Sequence, residues 1–514
     1  MNKKKINQQE INKGLKLLAK SSLIVFVGLI ISKVFFYLYR IIIARQFGPE
    51  IYGLFALSIM LIGWFRVFSN VGLKQGLLRF ISLFREKKEK KKISYIFRIS
   101  FSILMFTSVM AGILLFFFSD FIALEIFSNH NLAIFLKIFS FIIPFAILGE
   151  LLLSVIRAYE KIGWFSFISN IVGSFVSLSL IIFFIFLGMG SVSVPLSYLI
   201  GSFSVFIVSF FVCRITLPNL FNRDRKIISN QKNRKTFKKV FSYSWPFVFQ
   251  GFTLYIFYWA DSFMIGIFKT LEDVGFYNAA VPIALLLVLP LDIFRQLFFP
   301  LVTKEYSKGN IEEVRQLSKQ IGKWVFIITA PFFILFLIFP EVFINFFFGE
   351  EYTVAKNALR FLSISALFSA IFGISEDLIS IKGKSKIILL DMVFAAGINI
   401  VLNFIFVPLY GISGAGFATM LSLIIFNIIL ILQAHKYFLV IPIKRKILKI
   451  SLILILSTVV LLIIKPSIER NLFSLLLYCS FFLAIYILLV ISTNCLDKND
   501  WYILKTIFKK LKSR

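Results

Sequence analysis

Lys33, Tyr37, Arg40 and Ala44 are spaced four, three and four residues apart within an otherwise apolar run, so on a helix they share one face. Three more runs repeat the arrangement: Gly63, Arg66, Asn70 and Lys74; Gln250, Leu254, Tyr258 and Asp261; and Asn278, Leu285, Asp292 and Arg295. Each charge held inside hydrocarbon costs about 3 kcal/mol or more, so stripes of this kind are expected to face water within a protein bundle. Lys33, Arg40, Arg66, Lys74 and Arg295 outweigh Asp261 and Asp292 by three charges, and a cavity of that sign suits an anion. Arginine grips phosphate oxygens in pairs and lysine adds a point charge, so a pyrophosphate group is a good physical match, whereas a lipophilic cation would need the opposite sign.

Alternatives stay open at several of these positions. Asp292 and Arg295, three apart on a helix, could neutralise each other. Lys74 could snorkel to the cytoplasmic surface and Arg40 to the outer one. Asp261 reads equally as a proton site, a sodium site or a salt-bridge partner. Glu150, Glu376, Asp377 and Asp391 fall near cytoplasmic segment ends, where they are expected to meet loop lysines. No catalytic or metal-binding set stands out. His130 and His435 are alone, Cys213, Cys479 and Cys495 have no motif spacing, and HExxH, paired CxxC and P-loop patterns are absent.

The elements that must position the stripes follow from composition. Of 514 residues 59% are hydrophobic and 66 are Phe, far more apolar surface than a soluble fold of this length needs. Apolar segments long enough to span a membrane number fourteen, the first at 22–44 and the last at 471–493. Of the 56 Lys and Arg, 44 fall in the N-terminus, the even-numbered connections and the C-terminal tail, and five in the odd-numbered connections. That alternation predicts both termini in the cytoplasm. It also assigns the net charge of +31 to orientation and to anionic lipid head groups, with no nucleic-acid role.

An offset of 222 residues carries Gly53 onto Gly275 and Leu54-Phe55 onto Phe276-Tyr277, and an offset of 223 carries Gly188 onto Gly411. The fold is therefore expected to be all-α and polytopic. Two six-helix repeats would be related by a pseudo-two-fold axis along the membrane normal and followed by two extra helices. The predicted boundaries are a cytoplasmic N-terminus at 1–21, an N-terminal half at 22–217 and a basic linker at 218–239. A C-terminal half at 240–435, helices 13 and 14 within 446–493 and a basic tail at 494–514 complete the chain. The polar stripes lie on repeat-related segments, 1 with 7 and 2 with 8, and would line a cavity between the halves. Pro246, Pro282, Pro290, Pro300 and Pro331 would kink segments 7, 8 and 9.

Arg40, Ala44-Arg45, Phe47-Gly48-Pro49 and Tyr52-Gly53-Leu54-Phe55 resemble the first-helix signature of Wzx-type polysaccharide flippases. These belong to the MOP exporter superfamily, which also holds the MATE antiporters and the lipid II flippase. Trp245-Pro246, Asp261, Gly275-Phe276-Tyr277, Phe348-Gly349, Asn399, Asn403, Pro408 and Gly411 to Thr419 extend the resemblance over residues 20–435.

The resemblance implies a transporter, not an enzyme, of the cell membrane. It would move a polyprenyl-pyrophosphate-linked oligosaccharide from the cytoplasmic to the outer leaflet by alternating access. Membrane lipids would be its surroundings, glycosyltransferases or a polymerase of the same pathway its partners, and a monomer its working form. No cofactor is expected, and coupling to H+ or Na+ is open. The basic side chains would hold the phosphates, with Tyr37, Asn70, Gln250, Tyr258, Asp261 and Asp292 meeting sugar or coupling ion. A MATE-like cation or drug antiporter is the alternative. An integral-membrane glycosyltransferase or ligase ranks below both, because the outward loops are about a dozen residues or fewer and lack a DxD-like cluster.

Overall fold

A computed structural model describes residues 8–221, 231–442, 444, 446–464, 472–493 and 495. Parts of the predicted N-terminus (1–7), basic linker (222–230), last connection (465–471) and tail (496–514) lie outside the described residues. Helices occupy nearly all of what is described, and no strand occurs there. In chain order they are α1 (Gln8–Ser69), α2 (Leu73–Glu86), α3 (Lys90–Phe121), α4 (His130–Ser140), α5 (Ile142–Ala158), α6 (Ile162–Ser166), α7 (Gly173–Phe186), α8 (Ser193–Thr216), α9 (Gln231–Ser244) and α10 (Pro246–Phe268). They continue as α11 (Leu271–Leu285), α12 (Leu289–Ser307), α13 (Ile311–Ile338), α14 (Pro340–Phe347), α15 (Lys356–Phe372), α16 (Ile374–Ile381), α17 (Ser385–Phe438), α18 (Lys446–Ile464) and α19 (Leu472–Ser492).

Among the described residues, eleven helical stretches are long and apolar enough to cross a membrane. This is a multi-pass membrane protein. The two longest stretches hold twice or more what one crossing needs: Gly28–Ser69 has 42 residues and Ser385–Phe438 has 54, where about 20 suffice for a ~30 Å core. Both break at a glycine. Gly48 (φ 78°, ψ 179°), followed by Pro49, interrupts α1, and Gly411 (φ 55°, ψ −135°), three residues after Pro408, interrupts α17. A positive φ is open to glycine and costs other residues about 1 kcal/mol or more. At Gly48 the chain thus changes course through a one-residue kink and not through a loop. Large apolar side chains such as Phe117, Phe186, Leu448 and Ile463 stand exposed on these helices, as lipid contact requires.

The chain forms two compact units. The first holds the described residues through Ala279 together with Ala396–Ala415. Here α5 and α7 both pack on α8, and α1 packs on α3, α4, α7 and α10. Phe55, Phe139 and Tyr198 meet edge to face or tilted, with ring centroids 5.7 to 6.3 Å apart. Such contacts add about 0.5–1.5 kcal/mol each beyond burial and fix the faces on which the neighbouring polar residues emerge.

The second unit holds Ala280–Ala395 and the described residues from Gly416 onward. Its α13 packs on α12 and α15, and α18 and α19 pack on each other and on α13. Phe326, Ile450, Tyr478, Phe482 and Tyr486 make one core there. The Tyr486 hydroxyl donates to the Ile327 carbonyl at 3.2 Å and Tyr478 to that of Leu461, so α19 is joined to both α13 and α18 by polar as well as apolar contact.

Candidate functional site

Arg66 and Asn70 are one turn apart where α1 ends, and Lys74 follows in the first turn of α2. The single helical face expected of them breaks between Asn70 and Lys74, where Val71 (φ 48°) and Gly72 (φ 69°) leave the helix, yet all three side chains meet one carboxylate, Glu150 on α5. Arg66 Nη2 pairs with Glu150 Oε1, Lys74 Nζ lies 3.2 Å from Oε2, and Asn70 Nδ2 donates to Oε2 at 3.4 Å. The Glu150 side chain is 27% exposed, so the pairing is neither sequestered nor at the level of bulk solvent. In such surroundings a lone charge would be costly, and the carboxylate offsets part of the charge of its two cations.

Arg66, Lys74 and Glu150 wall a cavity of about 500 Å³. Arg157, in the last turn of α5, joins them, with Tyr198, Ser154, Ser169 and Ser202 supplying hydroxyls. Phe165, whose ring centroid lies 5.3 Å from the Arg157 guanidinium, holds that side chain by a cation–π contact. Three cations against one anion leave the cavity net positive, and its hydroxyls are suited to sugar hydroxyls or phosphate oxygens.

The other predicted residues of this unit fall elsewhere. Arg40 is buried, its guanidinium 4.7 Å from the Phe36 ring centroid and 3.5 Å from the Tyr52 hydroxyl, and its Nε has no hydrogen-bond partner. It is not among the residues lining the Arg66 cavity. Tyr37 is half-buried one turn before Arg40, whereas Lys33, Gln250 and Tyr258 stand exposed. Asp261 on α10 is buried, receiving hydrogen bonds from Tyr277 Oη (2.6 Å), Asn403 Nδ2 (2.7 Å) and Asn399 Nδ2 (3.4 Å). That cluster of a carboxylate, a phenol and two amides presents several oxygens at one point.

In the second unit Arg295 on α12 pairs with two acids of α16, Nε to Asp377 Oδ2 at 2.8 Å and Nη2 to Glu376 Oε2 at 3.0 Å, and Nη2 also donates to the Gly373 carbonyl at 2.8 Å. Asp292 is exposed. Glu150, Glu376 and Asp377 therefore do not serve loop lysines, as their sequence positions suggested. Each meets a cation on a membrane segment, because a guanidinium there draws whatever carboxylate a neighbouring helix brings into register. Replacing Arg295 by Met should leave two acids uncompensated and cost about 2–3 kcal/mol of stability, read as a lowered Tm in detergent. An unchanged Tm would show that the acids find other partners.

Glu150, Arg157 and Tyr198 were not singled out as site residues from the sequence. Glu150 and Arg157 are seven apart on one helix, a spacing that gives a shared face, but nothing in the chain marks that face as opposite Arg66.

Comparison with known proteins bears on what such a cavity serves. The family model described as "Polysaccharide biosynthesis protein" matches residues 18–304, and the MatE model matches residues 246–405. A putative O-antigen transporter of Shigella flexneri is 24% identical over 392 residues, 74% of this chain and 89% of that protein. A probable low-salt glycan biosynthesis flippase, Agl15 of Haloferax volcanii, is 26% identical over 211 residues, 40% of this chain and 44% of that one. Among solved structures, that of the lipid II flippase MurJ in an inward closed conformation superposes with a TM-score of 0.70 at 20% identity, covering 91% of this chain and 98% of the other.

Proposed function

The chain belongs to the polysaccharide biosynthesis protein family, and from that premise we propose that it flips a lipid-linked oligosaccharide, carried on polyprenyl pyrophosphate, from the cytoplasmic to the outer leaflet. The observation that carries this reading is the cavity of about 500 Å³ where Arg66, Lys74 and Arg157 outnumber Glu150 within a membrane-spanning unit. The names of the O-antigen and glycan relatives agree with it. Arg66 grips the pyrophosphate in pairs of hydrogen bonds, Lys74 and Arg157 add charge, and the serines and Tyr198 meet sugar hydroxyls. Lys33, Arg40 and Arg295 are further cationic stations on the path, with Tyr37, Gln250, Tyr258 and Asp292 as polar contacts. The protein is a transporter and performs no covalent step.

The topology that goes with this function has fourteen crossings. The kinks at Gly48 and Gly411 divide two long helical stretches into two crossings each, and α19, with 21 residues, adds another to the eleven. Two six-helix repeats, 22–217 and 240–435, rock to give alternating access, with helices 13 and 14 following. The basic connections hold both termini in the cytoplasm. The chain works as a monomer alongside the glycosyltransferases or polymerase of its pathway.

Asp261 is the coupling site for H+ or Na+, since a buried carboxylate ringed by Tyr277, Asn399 and Asn403 can exchange a cation while its neighbours hold its place. Asp261→Asn is expected to lower flipping about tenfold and remove its dependence on an ion gradient, leaving pyrophosphate binding intact. A variant that still responds to the gradient would remove Asp261 from this role.

The whole reading is tested in proteoliposomes that hold a fluorescent polyprenyl-pyrophosphate oligosaccharide. Protein-dependent exposure of the tag to an external quencher supports it. Binding of cationic dyes with no effect on the lipid would favour a MATE-like antiporter instead.

A further inference from the structure

We propose that Glu150 is the resident anion of the Arg66 cavity: it holds Arg66, Asn70 and Lys74 between transport rounds and is displaced from them by the pyrophosphate of the substrate. The proposal rests on the flippase reading and adds to it the group that sets how tightly the cavity binds.

Three donors at the junction of α1 and α2 converge on this single carboxylate. A carboxylate and a phosphate use the same guanidinium edge and the same ammonium, so both cannot be fully bonded to Arg66 and Lys74 at once. Glu150 lies on the cavity wall with 27% of its side chain exposed, which leaves it room to swing away on its own side-chain torsions. The charges also match. Arg66, Lys74 and Arg157 exceed Glu150 by two, and a pyrophosphate diester carries two negative charges, one on each phosphate. The loaded cavity is then neutral, and the empty one keeps its most tightly packed cations paired in a medium where unpaired charge is costly.

Competition of this kind weakens binding by design. A transporter must hold its cargo strongly enough to load and weakly enough to release, and a built-in competitor supplies the second requirement without altering the first set of contacts. A purely structural ion pair predicts the opposite outcome: its loss would disorder Arg66 and weaken anion binding.

The experiment measures binding of inorganic pyrophosphate to the full-length protein in detergent, beside flipping in proteoliposomes. Glu150→Gln keeps the side-chain shape and removes the charge. It is expected to bind pyrophosphate at least tenfold more tightly than the unaltered protein and to flip more slowly, because release becomes limiting. Glu150→Asp keeps a charge on a shorter arm and is expected to tighten binding about threefold, which serves if the glutamine variant does not fold. Affinity that is unchanged or weaker in whichever variant folds overturns the proposal. If Arg66→Ala still abolishes binding in that case, the flippase reading stands without it; if the unaltered protein binds no pyrophosphate, the flippase reading falls first.

Discussion

Arg66→Ala is expected to reduce flipping of a lipid-linked oligosaccharide about 100-fold or more while leaving the amount of folded protein nearly unchanged. The transport loss follows from the removal of a planar donor fork, since charge-assisted hydrogen bonds are worth about 1.5–3 kcal/mol each and two are lost together. The fold should survive because Glu150 keeps Lys74 at 3.2 Å and Asn70 at 3.4 Å, so no carboxylate is stranded. Arg66→Lys separates geometry from charge. A lysine supplies a point charge but not paired bonds, and should recover transport only to about a tenth of the original rate. Size-exclusion profiles in detergent and flipping rates in proteoliposomes are the two readouts. Full activity with alanine would remove Arg66, and with it the cavity, from the substrate path.

How far the sequence alone leads depends on whether a signal is local. The apolar segments and the charge alternation are local and legible, and so are the residues Arg66, Asn70 and Lys74, although the helix they were expected to share breaks at Val71 and Gly72. Glu150 is 84 residues from Arg66, and their meeting depends on how α5 packs beside α1 and α2, information that no spacing along the chain carries. That omission mattered, because it concealed that the strongest cationic site has its own anion. The cluster at Asp261 shows an intermediate case. Asn399 and Asn403 are four apart and could have been read as one helical face, yet only folding places that face against α10. Conversely, the shared stripe of Lys33, Tyr37 and Arg40 was legible, but Arg40 lies buried under Phe36 and Tyr52 and does not line the Arg66 cavity.

A valine at Gly53 or at Gly275 is expected to destabilise the protein by about 3 kcal/mol or more, because the two glycines form a reciprocal helix crossing. A Cβ on residue 53 would stand 1.9 Å from the Leu271 carbonyl oxygen, and one on residue 275 would stand 2.0 Å from that of Pro49. A backbone carbonyl cannot swing aside like the tip of a side chain, so α1 and α11 would have to separate. Leu54, Phe55 and Tyr277, each almost fully buried, would lose packing as they did. Gly188→Ala is the control: its φ of +71° strains any other residue, but no atom lies within 4 Å of the added carbon, so the cost should stay near about 1 kcal/mol. Residues 49 and 271 are separated by the same 222 positions as 53 and 275, so one separation of the helices relieves both overlaps. The two single variants should therefore lower the Tm by similar amounts, and the double variant should cost less than their sum. Strict additivity would mean that each overlap is relieved locally, and the crossing would then not be the single rigid contact its geometry describes.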